Sequence, residues 1–276
     1  MKPAAFDLAI PQTVSQACEL LDDTANDSRV IAGGQTLMPI LAMRVAQPSR
    51  LIDLSKITEL MSIESSAEGL RVRAMVRQSV LEDRLHQDLQ HPALAKVLPW
   101  IAHRTIRNRG TVCGSIAHAD PSAELPLALS TLQGDVIAQS RKGRRIIAAE
   151  NFFQGALQTS LNPNELIYAV RFPQPRPGST AGFAEFGYRH GDFAVVSVLV
   201  IRESDRWIFG FGGIDDTPKR FELNSVSEKD ATDFINTLTT EIDVREDPNA
   251  TALFRRHLMR TLGARAIQQT QPTAKT

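Results

Sequence analysis

Residues 173–178 read PQPRPG, three prolines and a glycine within six positions, and neither a helix interior nor a central strand can run through such a stretch. The chain is therefore expected to fold as two parts joined there, and 276 residues suffice for both to bury a core. Before the break, helix-like and strand-like patterns alternate. After it, FAVVSVLVI (193–201) and WIFGFGGI (207–214) read as strands of an antiparallel meander, followed by helices over about 230–239 and 251–268. The fold class this implies is α+β.

Within the first part, Thr13 with Gln16 three residues on forms a capping box, and Val14, Ala17, Leu20 and Leu21 share one helical face. The apolar run from Arg29 to Ala32 reads as a buried strand ending at Gly33-Gly34. A second helical pattern opened by Pro39 follows, with Ile40, Leu41, Met43 and Val45 apolar. LIDL (51–54) and GLRVRAMV (69–76) are strand-like, the latter alternating Leu70, Val72 and Ala74 with Arg71 and Arg73. Helices are predicted over Ser79–Leu89 and Ala93–His103. The stretch 107–126, RNRGTVCGSIAHADPSAELP, has no clean period and is predicted to be a loop or a chain of turns. Strands over 135–139 and 145–148 flank Gly143, which makes Arg141, Lys142, Arg144 and Arg145 a solvated hairpin tip. ELIYAVRF (165–172) is a further strand, and the tail QPTAKT is expected to fray.

Thirty-one basic residues balance 31 acidic ones, so net charge offers no reason to expect nucleic acid or an anionic membrane as partner. The two cysteines, Cys18 and Cys113, are far apart and suit a reducing compartment. They also cannot supply the four thiolates that a [2Fe–2S] cluster usually takes. No apolar run is long enough to span a membrane, and the N-terminus lacks the apolar core of a signal peptide, so the cytoplasm is the expected location. His118 and Asp120 have an H-x-D spacing without further ligands, which suits loop hydrogen bonding better than a metal.

Two glycine-bearing loops carry the chemistry. Ala32-Gly33-Gly34-Gln35-Thr36 joins a strand to a helix, so its backbone amides and the helix dipole could face an anion such as a pyrophosphate. It is neither GxGxxG nor a P-loop, and a plain left-handed turn with a helix cap accounts for it as well. The second, Thr111 to Pro121, is rich in small residues, and either a bound polar ligand or its own Ser, Thr and Asp could satisfy its backbone.

Together AGGQT, TVCGS and the block FAEFGYRHGDFAVVSV (183–198) resemble the ordered motifs of the FAD-binding medium subunits of molybdenum hydroxylases, the carbon monoxide dehydrogenase and xanthine dehydrogenase type. The resemblance runs over residues 1 to 265. It implies a PCMH-type FAD-binding domain over 1–176, with α/β subdomains of about 1–55 and 56–176, then a C-terminal domain of small antiparallel sheet and helices over 177–270. It further implies that Ile31, Ala32, Gly33, Gly34, Gln35, Thr36, Leu37 and Met38 surround the FAD phosphates, with Gln35 and Thr36 as donors, and that Thr111, Val112, Cys113, Gly114 and Ser115 run along the dinucleotide. Glu124 stands where relatives hydrogen-bond FAD, and Ile101 and Ile167 match apolar positions that pack against it. Phe193, beside Arg189, His190 and Asp192, would lie near the flavin ring. Cys113 replaces a glycine of many relatives, and Gly187 stands where the xanthine dehydrogenase type carries lysine.

The resemblance implies no catalytic acid or base and no metal in this chain. Molybdopterin would sit in a large partner subunit and two [2Fe–2S] clusters in a small one, and the stoichiometry the resemblance implies is a dimer of heterotrimers. A self-contained flavoprotein oxidase and a non-enzymatic nucleotide-binding module stand as rivals. Valine at Gly33 or Gly114 is expected to occupy cofactor space and leave a soluble fold.

Overall fold

The computed structural model describes residues 2–87 and 90–271. The chain opens with β1 (Asp7–Ala9), α1 (Val14–Asp22), β2 (Ser28–Ile31), α2 (Leu37–Ala42) and β3 (Arg50–Asp53). β1 and β2 both run parallel to β3, giving a small parallel sheet in the order β1–β3–β2. α1 starts where its capping box places it: the Thr13 hydroxyl accepts from the Gln16 amide, and the Gln16 side chain accepts from the Thr13 amide. In α2 only Leu41 is buried, whereas Met43 and Val45 are exposed, so that helix is shorter than its apolar pattern suggests.

There follow β4 (Ile63–Ser66), β5 (Gly69–Arg73), α3 (Gln78–Gln87), α4 (Pro92–Val97), α5 (Arg104–Arg107), α6 (Val112–His118), α7 (Glu124–Thr131), β6 (Asp135–Ser140), β7 (Gly143–Ala148) and α8 (Ala149–Phe152). The short pair β8 (Phe153–Gly155) and β9 (Gln158–Thr159) leads to β10 (Leu166–Phe172). β4, β5, β10, β6 and β7 form one antiparallel sheet in that order. β5 shows the expected alternation, with Leu70 and Val72 buried between half-exposed Arg71 and Arg73. The α3 expectation reaches residues 88 and 89, which lie outside the described residues, as do positions 272–276 of the tail. The helix expected over 93–103 is shorter, with α4 passing into a 3-10 turn at Leu98–Trp100.

The stretch 107–126 corrects the expectation of a loop. It carries α6, seven residues too short to show a period, and the start of α7, whose period is invisible because nearly every residue of that helix is buried. α6 is delimited locally: the Thr111 hydroxyl caps it by accepting from the Gly114 amide, and Ala119 ends it in the left-handed region at φ 53°.

Past the proline-rich break, β11 (Thr180–Phe186), β12 (Val196–Arg202), β13 (Trp207–Gly212) and β14 (Lys219–Leu223) form an antiparallel meander, backed by α9 (Glu228–Glu241) and α10 (Ala252–Gln269). Strand alternation splits its side chains between two cores. Val196, Val198, Val200, Trp207, Phe209 and Phe211 pack with α9 and α10, whereas Ala181, Phe183, Leu199, Ile201 and Ile208 join the core of the first part. Each large side chain so enclosed contributes about 1.5–3 kcal/mol. Gly210 and Gly212 let α7 approach this second face: a Cβ on Gly210 would stand 1.8 Å from Thr131 Oγ1. The break in sequence is thus bridged by a shared core.

Candidate functional site

β2 ends at Ile31 and the chain turns through Ala32, Gly33 and Gly34, all half-buried, into α2. Gly34 has φ 71°, a conformation that would strain any other residue. The amides of Gly34, Gln35 and Thr36 donate to no acceptor among the described residues, and Thr36 precedes α2 without a side-chain cap. Such consecutive free amides at a helix start form a concavity suited to an anion.

Gly33 faces the second loop. A Cβ there would lie 2.2 Å from the Arg109 carbonyl oxygen and 2.8 Å from Gly110 Cα, so the two glycine segments are in backbone contact. Valine at Gly33 would therefore strike protein before cofactor, and at Gly114 a Cβ would meet the capping Thr111 Oγ1 at 2.7 Å. Both findings correct the expectation that these positions test cofactor space alone. The second loop is held in turn by Gln78, whose amide donates to the Gly110 carbonyl at 2.9 Å.

Of the second-loop candidates, Gly114 and Ser115 remain half-buried and reachable, while Thr111, Val112 and Cys113 are enclosed. The Cys113 thiol lies against the Val72 carbonyl at 3.5 Å, and burial pushes its pKa up, so it is an inert core group. Cysteine in place of glycine here leaves the open side of the loop unchanged.

The 101–111 segment links the loops to the other candidates. Arg107 sits enclosed and grips Glu82 through Nε at 2.9 Å and Nη2 at 3.1 Å, while its Nη1 donates to the carbonyls of Ile101 and Ala102. Ala102 is held at φ 43° by this clamp. Ile101 and Ile167 are both core residues, 8% and 6% exposed. The turn 187–193 reaches the same region, since His190 and His103 meet ring to ring at 5.4 Å and a Cβ on Gly191 would touch His103. Phe193 and Tyr188 are left exposed there.

Glu124, in the first turn of α7, is only 4% exposed rather than a surface carboxylate. Burial pushes its pKa up to about 7, its own backbone amide and Arg107 working against that and Asp120 adding to it. Three participants escape a reading of the sequence: the Glu82–Arg107 clamp, Glu185 and Ser197. Glu185 and Ser197 had a local signal, because each continues an apolar strand face, Ala181 and Phe183 in β11 and Ile201 and Leu199 in β12.

These features fit a dinucleotide: a half-buried cradle of free amides, a second glycine-bearing segment against it, and a buried carboxyl on the helix that follows that segment. The family described as the FAD binding domain in molybdopterin dehydrogenase matches residues 4–175. This chain belongs to that family. The nicotine 6-hydroxylase medium subunit of Paenarthrobacter nicotinovorans is 42% identical over 73% of this chain and 70% of its own. The structure of quinoline 2-oxidoreductase from Pseudomonas putida 86 superposes with a TM-score of 0.88 at 31% identity, covering 98% of both chains. Carbon monoxide dehydrogenase from Hydrogenophaga pseudoflava gives a TM-score of 0.89 at 25% identity, over 98% of both. The chain is thus an FAD-binding medium subunit of the molybdenum hydroxylase type, and an oxidoreductase subunit. No helix among the described residues is long and apolar enough to cross a membrane, and no group of three or more His, Cys, Asp or Glu among them could hold a metal.

Proposed function

We propose that this chain holds FAD as an electron relay, between iron–sulfur clusters of a small partner subunit and an external acceptor, in a complex whose large subunit carries molybdopterin and oxidises substrate. The observation that carries the reading is the backbone contact between Gly33 and Arg109–Gly110, which merges the two loops into one cradle. Bound FAD supplies redox chemistry that no side chain offers. The free amides of Gly34, Gln35 and Thr36 would hold its pyrophosphate, with Ala32, Gly33, Leu37 and Met38 shaping that turn. Gly114 and Ser115 would line the dinucleotide, Ile101 and Ile167 would pack beneath it, and Glu124 would accept or donate a hydrogen bond.

The two cysteines support a relay dependent on partners, because both are buried single thiols and four thiolates are needed for a cluster. We take 1–176 as the FAD-binding domain, 177–270 as the flavoprotein C-terminal domain, and the cytoplasm as its location. Assembly as a dimer of heterotrimers is part of the same reading. Expression with its neighbouring genes tests it: a yellow chain that purifies with iron–sulfur and molybdenum subunits is expected. A yellow chain that turns over substrate alone would instead establish a stand-alone oxidase, and a colourless one would remove the FAD assignment.

A further inference from the structure

The face of the meander that meets the first core runs out into charge at one corner. Register sets Ala181 of β11, Ile201 of β12, Ile208 of β13 and Glu222 of β14 in one cross-strand row. The first three are buried, whereas the row ends on a carboxylate. Beyond it, the hairpin between β12 and β13 adds Glu203 and Arg206, where the Glu203 amide donates to the Arg206 carbonyl at 2.9 Å. Arg220 stands two residues before Glu222, on the same face of β14.

These groups form a chain of ion pairs. Arg176, from the proline-rich break, meets Glu203 Oε2 through Nη1 at 3.1 Å, and Arg206 Nε meets the same oxygen at 2.6 Å. Arg206 Nη1 lies 3.2 Å from Glu222, which also pairs with Arg220 Nη2, and Arg220 Nε donates to the Thr131 carbonyl at 3.0 Å. Three guanidinia thus share two enclosed carboxylates, while Asp205, 68% exposed, reaches only the outermost, Arg176. Arg206 Nη2 and Arg220 Nη1 have no acceptor among the described residues.

All three arginines line a cavity of 320 Å³ between the two parts of the chain, and Glu203 is the one carboxylate on its wall among the described residues. His91 on the same wall is held down at about 4 by burial, so it adds no charge near neutral pH. The wall also includes the buried side chains of Ala93, Ala181, Ile201 and Ile208. Sites for small molecules start at about 300 Å³ and combine an apolar lining with a few placed polar groups. A guanidinium fork matches a carboxylate in plane and spacing.

We propose that this cavity binds a small organic carboxylate, with its apolar body on Ile201 and Ile208 and its oxygens on the uncommitted N–H groups of Arg206 and Arg220. One such anion brings the chain of three cations and two carboxylates to balance. α4, the end of α7 and the break supply part of the wall and the meander supplies the rest, so an occupant ties the two parts together and stabilises the fold by mass action. Gly33, Gly34, Arg109 and Gly110 are not among its walls, which makes the site separate from the cradle assigned to FAD.

The probe is benzoate, an apolar ring bearing a carboxylate, titrated calorimetrically into the full chain in a buffer free of other carboxylates and of phosphate. One saturable site per chain is expected. Benzyl alcohol, which has the same ring and no charge, should leave it empty. Arg206→Gln should weaken benzoate about 10- to 150-fold, the range for a lost hydrogen bond to a charged group. No saturable benzoate binding, equal binding of benzyl alcohol, or wild-type affinity in a folded Arg206→Gln protein would overturn the proposal. The comparison of the two probes needs no variant to fold. Inorganic phosphate that binds as tightly as benzoate would overturn the role given to Ile201 and Ile208.

Discussion

Gly33→Ala is the sharpest perturbation of the cradle, because its consequence can be worked from one distance. The added Cβ would lie 2.2 Å from the Arg109 carbonyl oxygen and 2.8 Å from Gly110 Cα, both backbone atoms that no rotamer change can move. Relieving the first contact to ordinary van der Waals separation parts the two loops by about 1 Å, the scale of displacement at which positioned groups lose their function. Overpacking of this kind costs about 1–3 kcal/mol. If that cost falls on the FAD-competent arrangement, the dissociation constant rises about 5- to 150-fold. Gly155→Ala is the control, since a Cβ there finds no atom closer than 3.5 Å. The assay is flavin absorbance per chain after gel filtration, followed by fluorescence titration of the apoprotein with FAD. Circular dichroism reports whether the fold survives. Wild-type affinity in a folded Gly33→Ala protein would refute the argument that loop contact builds the cradle.

Three further outcomes are expected. Asp247→Asn should destabilise the chain by about 3–5 kcal/mol in urea unfolding, because it leaves Arg255, 2% exposed, without its carboxylate. Burial opposes ionisation of Asp247, but hydrogen bonds from Arg245 and from the Asn249 and Ala250 amides, with the charge of Arg255, hold it down at about 2. Its contribution is therefore present above the ordinary aspartate range and lost only as pH falls through about 2. His91, which meets the Pro173 carbonyl at 3.2 Å, is held down at about 4 by burial, so the folded chain needs it neutral. Its contribution, about 3 kcal/mol, is present above the usual histidine value and fades as pH falls towards about 4. His91→Phe should flatten stability against pH across that window, as read from unfolding midpoints. Glu82→Gln should loosen the Arg107 clamp on Ile101 and Ala102, costing about 3–5 kcal/mol of stability and weakening FAD retention in the same titration.

Signals that act within a turn or a period were legible from the residues. Thr13 and Gln16 form the capping box that starts α1. The hairpin turns at Gly143, with φ 131°, and the strand, glycine turn and helix order around Gly33–Gly34 stands as read. The resemblance of three ordered motifs pointed to the family that the comparisons show. α7 was hidden because a helix buried nearly all round shows no amphipathic period, and α6 because its seven residues span only two turns and include a glycine.

What residues 31–38 and 111–115 do together could not be read from either segment. Each by itself is a turn and a helix start, and only the tertiary fold brings Gly33 against the Arg109 carbonyl. Protonation follows the same division. A glutamate in a sequence is an ordinary carboxylate, and Glu124 and Glu185 depart from that because packing removes water from both. The local sequence therefore determined where the backbone turns and which faces are apolar. The long-range contacts decided which turns form one cradle and which carboxyls are withdrawn from water, because desolvation and backbone contact depend on segments far apart in the chain.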